Sequence, residues 1–299
     1  MAQITRVAKN QHQKEIIKLF DSLQGSHNMW QLWSDFVVMM ACSISNAVDH
    51  SHREEREKTY LSIASGYTEK ELGAFRQIYD LLVDAFEENA DQDLLGELYM
   101  ALGLGNDKKG QFFTPYDVCR CMAEMNWGNA SDQIEENGWI SANDPAVGAG
   151  ALLIAFANTF RRHNVNYQQS VLFVAQEIDF TTACMCYIQL SLLGCPGYVY
   201  VGNTITDPCT SIDGRALIPA KPDNCWFMPM YFHNTWGVRR MIAKMRLMEN
   251  QFRHETIDSK IAENDSIPAT EPATAPSVQE SEQEKIEYIA NESGQLMLF

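Results

Sequence analysis

The stretch that decides the fold is Asn143–Leu153, NDPAVGAGALL. An apolar run, GWISA (138–142), precedes it, and the helix-spaced run ALLIAFANTF follows from Ala151. Strand, glycine loop and helix in that order put backbone N–H groups at the carboxyl end of a strand, where open α/β sheets bind ligands. Gly148 and Gly150 allow the chain to pass close to a bound molecule or to another segment. One reading is a dinucleotide fold, hence a nicotinamide-dependent oxidoreductase. Its G-x-G-x-x-G fingerprint needs a glycine at position 153, which is Leu153.

Outward from the loop the pattern repeats. SVLFVAQEID (170–179) reads as a second strand, apolar on both faces and ending in acids. FTTACMCYIQLSLLG (180–194) reads as a helix, and GYVYVGNTIT (197–206) as a third strand. Upstream, GQFFTPYDVCRCMAEM (110–125) gives a short apolar stretch and then a helix, with Thr114 as N-cap and Pro115 at the first position. Apolar strands alternating with helices specify a parallel sheet covered on both sides. Residues 11–103 read differently, as helices alone. Among them TEKELGAFRQIYDLLVDAFEEN (68–89) opens with a Thr68/Glu71 capping box, and QDLLGELYMALGL (92–104) ends at glycines.

The chain has 299 residues, 45% hydrophobic and 21% charged, as expected of a globular protein with a sizeable core. No apolar run is long enough for a membrane span, and MAQITRVAKNQHQKEIIKLF (1–20) lacks the apolar core of a signal peptide. The expectation is a cytoplasmic protein without membrane partners. The eight cysteines form no C-x-x-C pair, so they read as small apolar side chains and no metal site is expected. The net charge of −16 is uneven. Residues 251–299 carry ten acids against three basic residues, and a basic cluster, Arg239/Arg240/Lys244/Arg246, precedes them. Charge alone neither requires nor excludes nucleic acid.

Three segments together resemble adenine-N6 DNA methyltransferases, in particular the modification subunits of type I restriction-modification systems: GQFFTP (110–115), DPAVGAGALL (144–153), and the pair AQEID (175–179) with GNTIT (202–206). The resemblance covers roughly residues 90–235 and implies a Rossmann-like sheet that binds S-adenosylmethionine (SAM). It also implies the roles of the residues. Phe112, Thr114 and Pro115 lie along the methionine end, Asp144 faces the ammonium, and Gly148 and Gly150 admit the cofactor. Glu177 takes the ribose hydroxyls, as acids at strand ends do, and Asn203 the adenine edge.

The family's Asn/Asp-Pro-Pro-Tyr/Phe tetrapeptide, which accepts hydrogens from the target amine and stacks on the flipped base, is not found here. The nearest segment is KPDNCWFMPMYF (221–232), where Pro229 and Tyr231 fall on the second and fourth positions of the motif. Met228 stands in place of the acceptor and is too weak to serve as one. The alternative for this segment is a loop that packs aromatic rings against the domain edge. Pro222 and Asn224 also argue against a central strand there.

The last residues, QLMLF, resemble the peptide by which bacterial proteins dock on the replication sliding clamp, with Gln295, Leu296, Leu298 and Phe299 as the docking side chains. The expected organisation is therefore a helical region (1–105), a truncated SAM-methyltransferase-like α/β domain (106–250) and a disordered acidic tail (251–299) ending in a docking motif. The expected function is methyl transfer to adenine in DNA, with a specificity or completing subunit as partner. The alternative is a non-catalytic SAM- or DNA-binding accessory protein recruited to the clamp.

Overall fold

Apolar side chains recurring every three or four positions make helices of the segments between Gln11 and Glu88, and the same side chains give the helices a common core. Ile16, Ile17, Phe20 and Leu23 line one face of α1 (Gln11–Leu23), and Leu32, Trp33, Phe36 and Val37 are buried on α2 (Met29–Asn46). Asn10 and Asn28 cap these two helices by accepting N–H bonds of 2.8 Å from Gln13 and Gln31. Three further helices follow, α3 (Arg53–Ala64), α4 (Glu69–Glu88) and α5 (Leu94–Ala101). The capping box forms at the start of α4: Thr68 N–H donates to Glu71 Oε2 at 2.7 Å, and Glu71 N–H to Thr68 Oγ1 at 3.3 Å. The computed structural model describes residues 8–25, 27–105, 113–264 and 296–297.

The α/β part runs α6 (Tyr116–Met125), α7 (Trp127–Asn137), β1 (Ile140–Asp144), α8 (Ala151–Arg162), α9 (Tyr167–Ser170), β2 (Val171–Glu177), α10 (Phe180–Leu192) and β3 (Gly197–Val201). After a long connection come β4 (Cys225–Phe227), α11 (Asn234–Asn264) and β5 (Leu296–Met297). The sheet order is β4-β3-β2-β1-β5. β1, β2 and β3 are parallel, as the alternating pattern specified, and β5 pairs with β1 in parallel. β4 is antiparallel to β3.

Side chains alternate across the sheet with the period of the pleat. Val171, Phe173, Ala175, Val199 and Trp226 enter one core together with α8, α10 and the N-terminal helices. Leu172, Val174, Tyr198, Tyr200 and Phe227 enter a second, smaller core closed by Tyr231 and Trp236. The second face is thus covered by irregular chain and the first turns of α11. The N-terminal helices and the sheet share the first core.

Two differences from the expectation concern the C-terminal part. α11 continues past Gln251 to Asn264, because QFRHETIDSKIAEN (251–264) contains no glycine or proline to stop it. Leu296 and Met297 form a short strand opposite Ala142 and Asn143. Among the described residues no helix is long and apolar enough to cross a membrane. Six of the eight free cysteines are buried as apolar side chains, and Cys121 is exposed.

Two buried polar links join distant parts of the chain. Arg56 on α3 donates to Asp49 Oδ2 at 2.8 Å and to the Cys225 carbonyl of β4 at 2.8 Å, and its guanidinium lies 4.1 Å over Trp226. Burial would raise the Asp49 carboxyl, but hydrogen bonds from Ser51 and His52 and the charge of Arg56 outweigh it and hold it below the usual range. A depressed carboxyl contributes stability above its unfolded value and loses it as pH falls through its folded one. The second link is Gln189 on α10, whose amide reaches Asp93, Ala149 and Leu95.

Removing one partner of a buried ion pair strands the other, so Arg56→Met should cost about 3–5 kcal/mol in urea denaturation. The double variant with Asp49→Leu should recover most of that loss; an unchanged deficit would show that packing of Arg56, not its charge, is what counts. Gln189→Leu takes this partner from the Leu95 N–H and the Ala149 carbonyl and leaves Asp93 Oδ1 only the Gly96 N–H, and should cost on the order of 3 kcal/mol by the same measurement.

Candidate functional site

β1 delivers Asp144 to the carboxyl edge of the sheet, and the chain then turns through Pro145–Val147 into two left-handed glycines. Gly148 has φ +57° and Gly150 φ +102°. A Cβ on Gly148 would sit 3.3 Å from the ring of Phe113, and one on Gly150 3.1 Å from Cys186 Sγ on α10. Both the conformation and the close approach therefore call for glycine at these positions. Val147 N–H donates to the Gln176 carbonyl at 3.0 Å, which ties the loop to β2.

The ends of the three parallel strands are tied together. Glu177, the last residue of β2, accepts the Gly148 N–H at 3.0 Å on one carboxylate oxygen and the Asp179 N–H at 2.9 Å on the other. Gln176 donates to the carbonyls of Gly202 and Asp207, at 3.2 and 2.8 Å, and accepts the Cys209 N–H at 2.9 Å. The Thr204 hydroxyl donates to the Pro145 carbonyl, linking the turn after β3 to the turn after β1. Asn203 accepts the Ile205 N–H at 2.9 Å, so its side chain shapes this turn.

Asp144 is buried and accepts the Ala146 N–H at 3.1 Å. Burial pushes its carboxyl up to about 6, opposed by that hydrogen bond and assisted by the negative charge of Glu177. A carboxyl so placed is neutral below that pH and ionised above it, and a cation beside it extends the ionised range downward. It opens onto a cavity of about 300 Å³ that is also lined by Phe113, Thr114, Cys119, Met122 and Gly148. Phe113 and Thr114 separate this space from a second cavity of about 630 Å³, lined by Pro115, Tyr116, Asp91 and Glu97.

The fold thus gathers Thr114, Asp144 and Gly148 around one cavity, with Glu177 joined to it through the Gly148 N–H. Pro115 faces the neighbouring cavity, Gly150 sits against Cys186, and Asn203 stands in the turn after β3. Phe112 lies outside the described residues. Reading the sequence did not single out the ring of Phe113, which covers Gly148 and meets Tyr99 at 5.5 Å between centroids. Nor did it single out Ile178, Phe180 and Ile205, which are 64%, 42% and 92% exposed just beyond β2 and β3. Their signal is an apolar residue directly after a polar strand end.

Pro229 and Tyr231 are not part of this group. Because β4 is antiparallel to β3, with Phe227 opposite Tyr198, the chain after β4 emerges at the amino end of the parallel strands. Met228 N–H donates to the Gly197 carbonyl at 3.0 Å, at the start of β3. Tyr231 is buried; its hydroxyl donates to the Leu217 carbonyl at 2.6 Å and its ring stacks on Phe227 with centroids 4.8 Å apart. The guanidinium of Arg240 lies 3.9 Å from the centre of the same ring. Of the terminal residues, Leu296 pairs with Ala142 within β5, while Gln295, Leu298 and Phe299 lie outside the described residues.

No curated protein matches the sequence. Among solved structures, the chain is similar to the type I restriction-modification system methyltransferase subunit from Streptococcus thermophilus, with 14% identity and a TM-score of 0.32. That alignment covers 66% of this chain and 59% of the other, so this chain spans less than two thirds of that subunit. The model of the N-6 DNA Methylase family matches residues 90–263, more than half of the sequence, and includes the glycine loop, β1, β2, β3 and β4. The chain belongs to the N-6 DNA methylase family.

Proposed function

We propose that this chain binds SAM in the cavity over the glycine loop and serves methyl transfer to the exocyclic amine of adenine in DNA. The observation that carries the reading is the convergence of Asp144, Gly148, Thr114 and Phe113 on one cavity at the carboxyl end of β1. Its volume is within the range of small-ligand sites. Asp144 supplies a carboxylate for the ammonium, and Glu177, oriented by two N–H bonds, an acceptor for the ribose hydroxyls. Asn203 serves the adenine edge, with Ile178, Phe180 and Ile205 as apolar surface beside it. Thr114 and Pro115, with Phe112, close the methionine end, and Gly150 lets α10 pack beneath the loop. When bound, SAM contributes the electrophilic methyl group; the chain's own residues bind and orient it.

The acceptor half needs a group that takes hydrogens from the amine and a ring that stacks on the base. Pro229 and Tyr231 stand at the opposite end of the sheet, and the Tyr231 hydroxyl is engaged. We therefore assign the acceptor half to a partner, a completing or specificity subunit, and place the pair in the cytoplasm with DNA as substrate. In this reading residues 1–105 wall the methyl-donor unit, 106–250 form it, and 251–299 are a recruiting tail.

The buried Tyr231 also favours a second reading, an accessory protein that binds SAM or DNA without catalysis and is recruited to the sliding clamp. QLMLF, with Gln295, Leu296, Leu298 and Phe299, is the docking peptide in both readings. Docking would compete with the pairing of Leu296 and Met297 to β1.

Calorimetric titration with SAM tests the shared core of both readings: saturable binding is expected, and its absence overturns them. A cation-binding Asp144 must be ionised, so affinity should fall severalfold as pH drops below about 6, and Asp144→Asn should bind weakly at either pH. Tritiated methyl transfer to unmethylated DNA, with and without a co-expressed partner, then separates the readings: incorporation selects the first, binding without transfer the second. Deleting Gln295–Phe299 should abolish retention by purified clamp, and undiminished retention would remove the docking assignment.

A further inference from the structure

Helix α11 has two faces. Trp236, 1% exposed, and the half-buried Ala243, seven residues later, rest on the sheet's second core. Trp236 Nε1 donates to the Gln168 carbonyl at 2.7 Å, and Arg239 to the Gln169 carbonyl at 2.6 Å, which fixes the helix to the amino end of β2. The other face is apolar and uncovered. Val238, Met241, Met245 and Met248 are 51%, 55%, 57% and 57% exposed. Single exposed apolar residues are ordinary, but a continuous stripe of them marks an interaction surface.

The spacing of the stripe, three-four-three, identifies the partner's shape. Val238 and Met245 fall on the a positions of a heptad and Met241 and Met248 on the d positions; in the sequence Phe252 continues the series. Trp236 and Ala243 then fall on f, the position farthest from the seam, which agrees with their packing against the chain's own core. From residue 238 to 248 the seam is about 15 Å long at helical rise.

The charges flanking the seam select what pairs with it. In this register Lys244 is at g and Glu249 at e. In a parallel two-stranded coiled coil, g of one helix faces e of the following heptad in the other, and such pairs set partner and orientation. A second copy of α11 presents both members, so Lys244 of each copy meets Glu249 of the other. We propose that α11 is the seam of a parallel homodimer, closed by Val238, Met241, Met245 and Met248 and oriented by Lys244 and Glu249. This assembly is independent of whether the chain binds SAM.

Sedimentation of the full chain across the micromolar range should give a species of twice the 33.9 kDa monomer. Met245→Glu should make it monomeric while leaving far-UV circular dichroism unchanged, since Met245 is exposed. Lys244→Glu should weaken association roughly fivefold through two symmetric like-charge contacts, and adding Glu249→Lys should restore it. Met245→Cys, in a Cys121→Ser background that removes the exposed thiol, should form a disulfide between copies, since parallel helices place a against a. A chain that stays monomeric throughout, or a dimer that survives Met245→Glu, overturns the proposal. Failure of the charge exchange to restore association, or failure of the disulfide to form, overturns the parallel arrangement.

Discussion

The side-chain amide of Gln189 has no exposed surface and holds three parts of the chain in one arrangement. Its N–H groups donate to Asp93 Oδ1 and to the Ala149 carbonyl, both at 2.8 Å, and its oxygen accepts the Leu95 N–H at 3.0 Å. Asp93 is itself the N-cap of α5, through the Gly96 N–H at 3.1 Å, and burial pushes its carboxyl up to about 6. The helical region therefore reaches the glycine loop through one residue on α10. In a buried setting every member of such a network must be satisfied, because an unpaired group loses its hydration without replacement. The Gln189 bond to the Ala149 carbonyl holds the loop between the two left-handed glycines, Gly148 and Gly150.

The two ends of the sheet have different chemistry. At the carboxyl end, Asp144 and the glycine loop line open space, and Glu177 is joined to the loop through the Gly148 N–H. At the amino end the chain is filled with rings: Phe227, Tyr231 and Trp236 form one buried aromatic group with Tyr198, and arginines cover Tyr231 and Trp236. The direction of β4 decides this division. A parallel strand ending at Phe227 would have carried Met228–Tyr231 to the carboxyl end; the antiparallel one carries it away.

Local pattern made much of this legible. The strand, glycine loop and helix from Ile140 to Arg162 announce themselves, as do β2, α10, β3 and the Thr68 capping box, because period and turn chemistry agree at each position. Thr114, Asp144 and Gly148 could be brought to one place because all three stand at the edges of such elements. What a local pattern does not contain is long-range pairing. Pro222 and Asn224 exclude a central strand but do not give the direction of an edge strand. Gln189 reads as one polar residue on an apolar helix, and its importance depends on Asp93, ninety-six positions earlier. The ring of Phe113 covers Gly148 only because α6 packs on α8.

The shared core has a consequence for where this protein divides. The family match begins at residue 90, yet α10 is buried on the side that faces α2 as well as on the side that faces the sheet. Ser34 of α2 meets Thr181 of α10 at 3.1 Å, and Trp33, Phe36 and Val37 belong to the same core as Met185 and Ile188. The start of the family match thus falls inside a continuous core. A fragment cut there keeps the glycine loop and loses the helices that share its core.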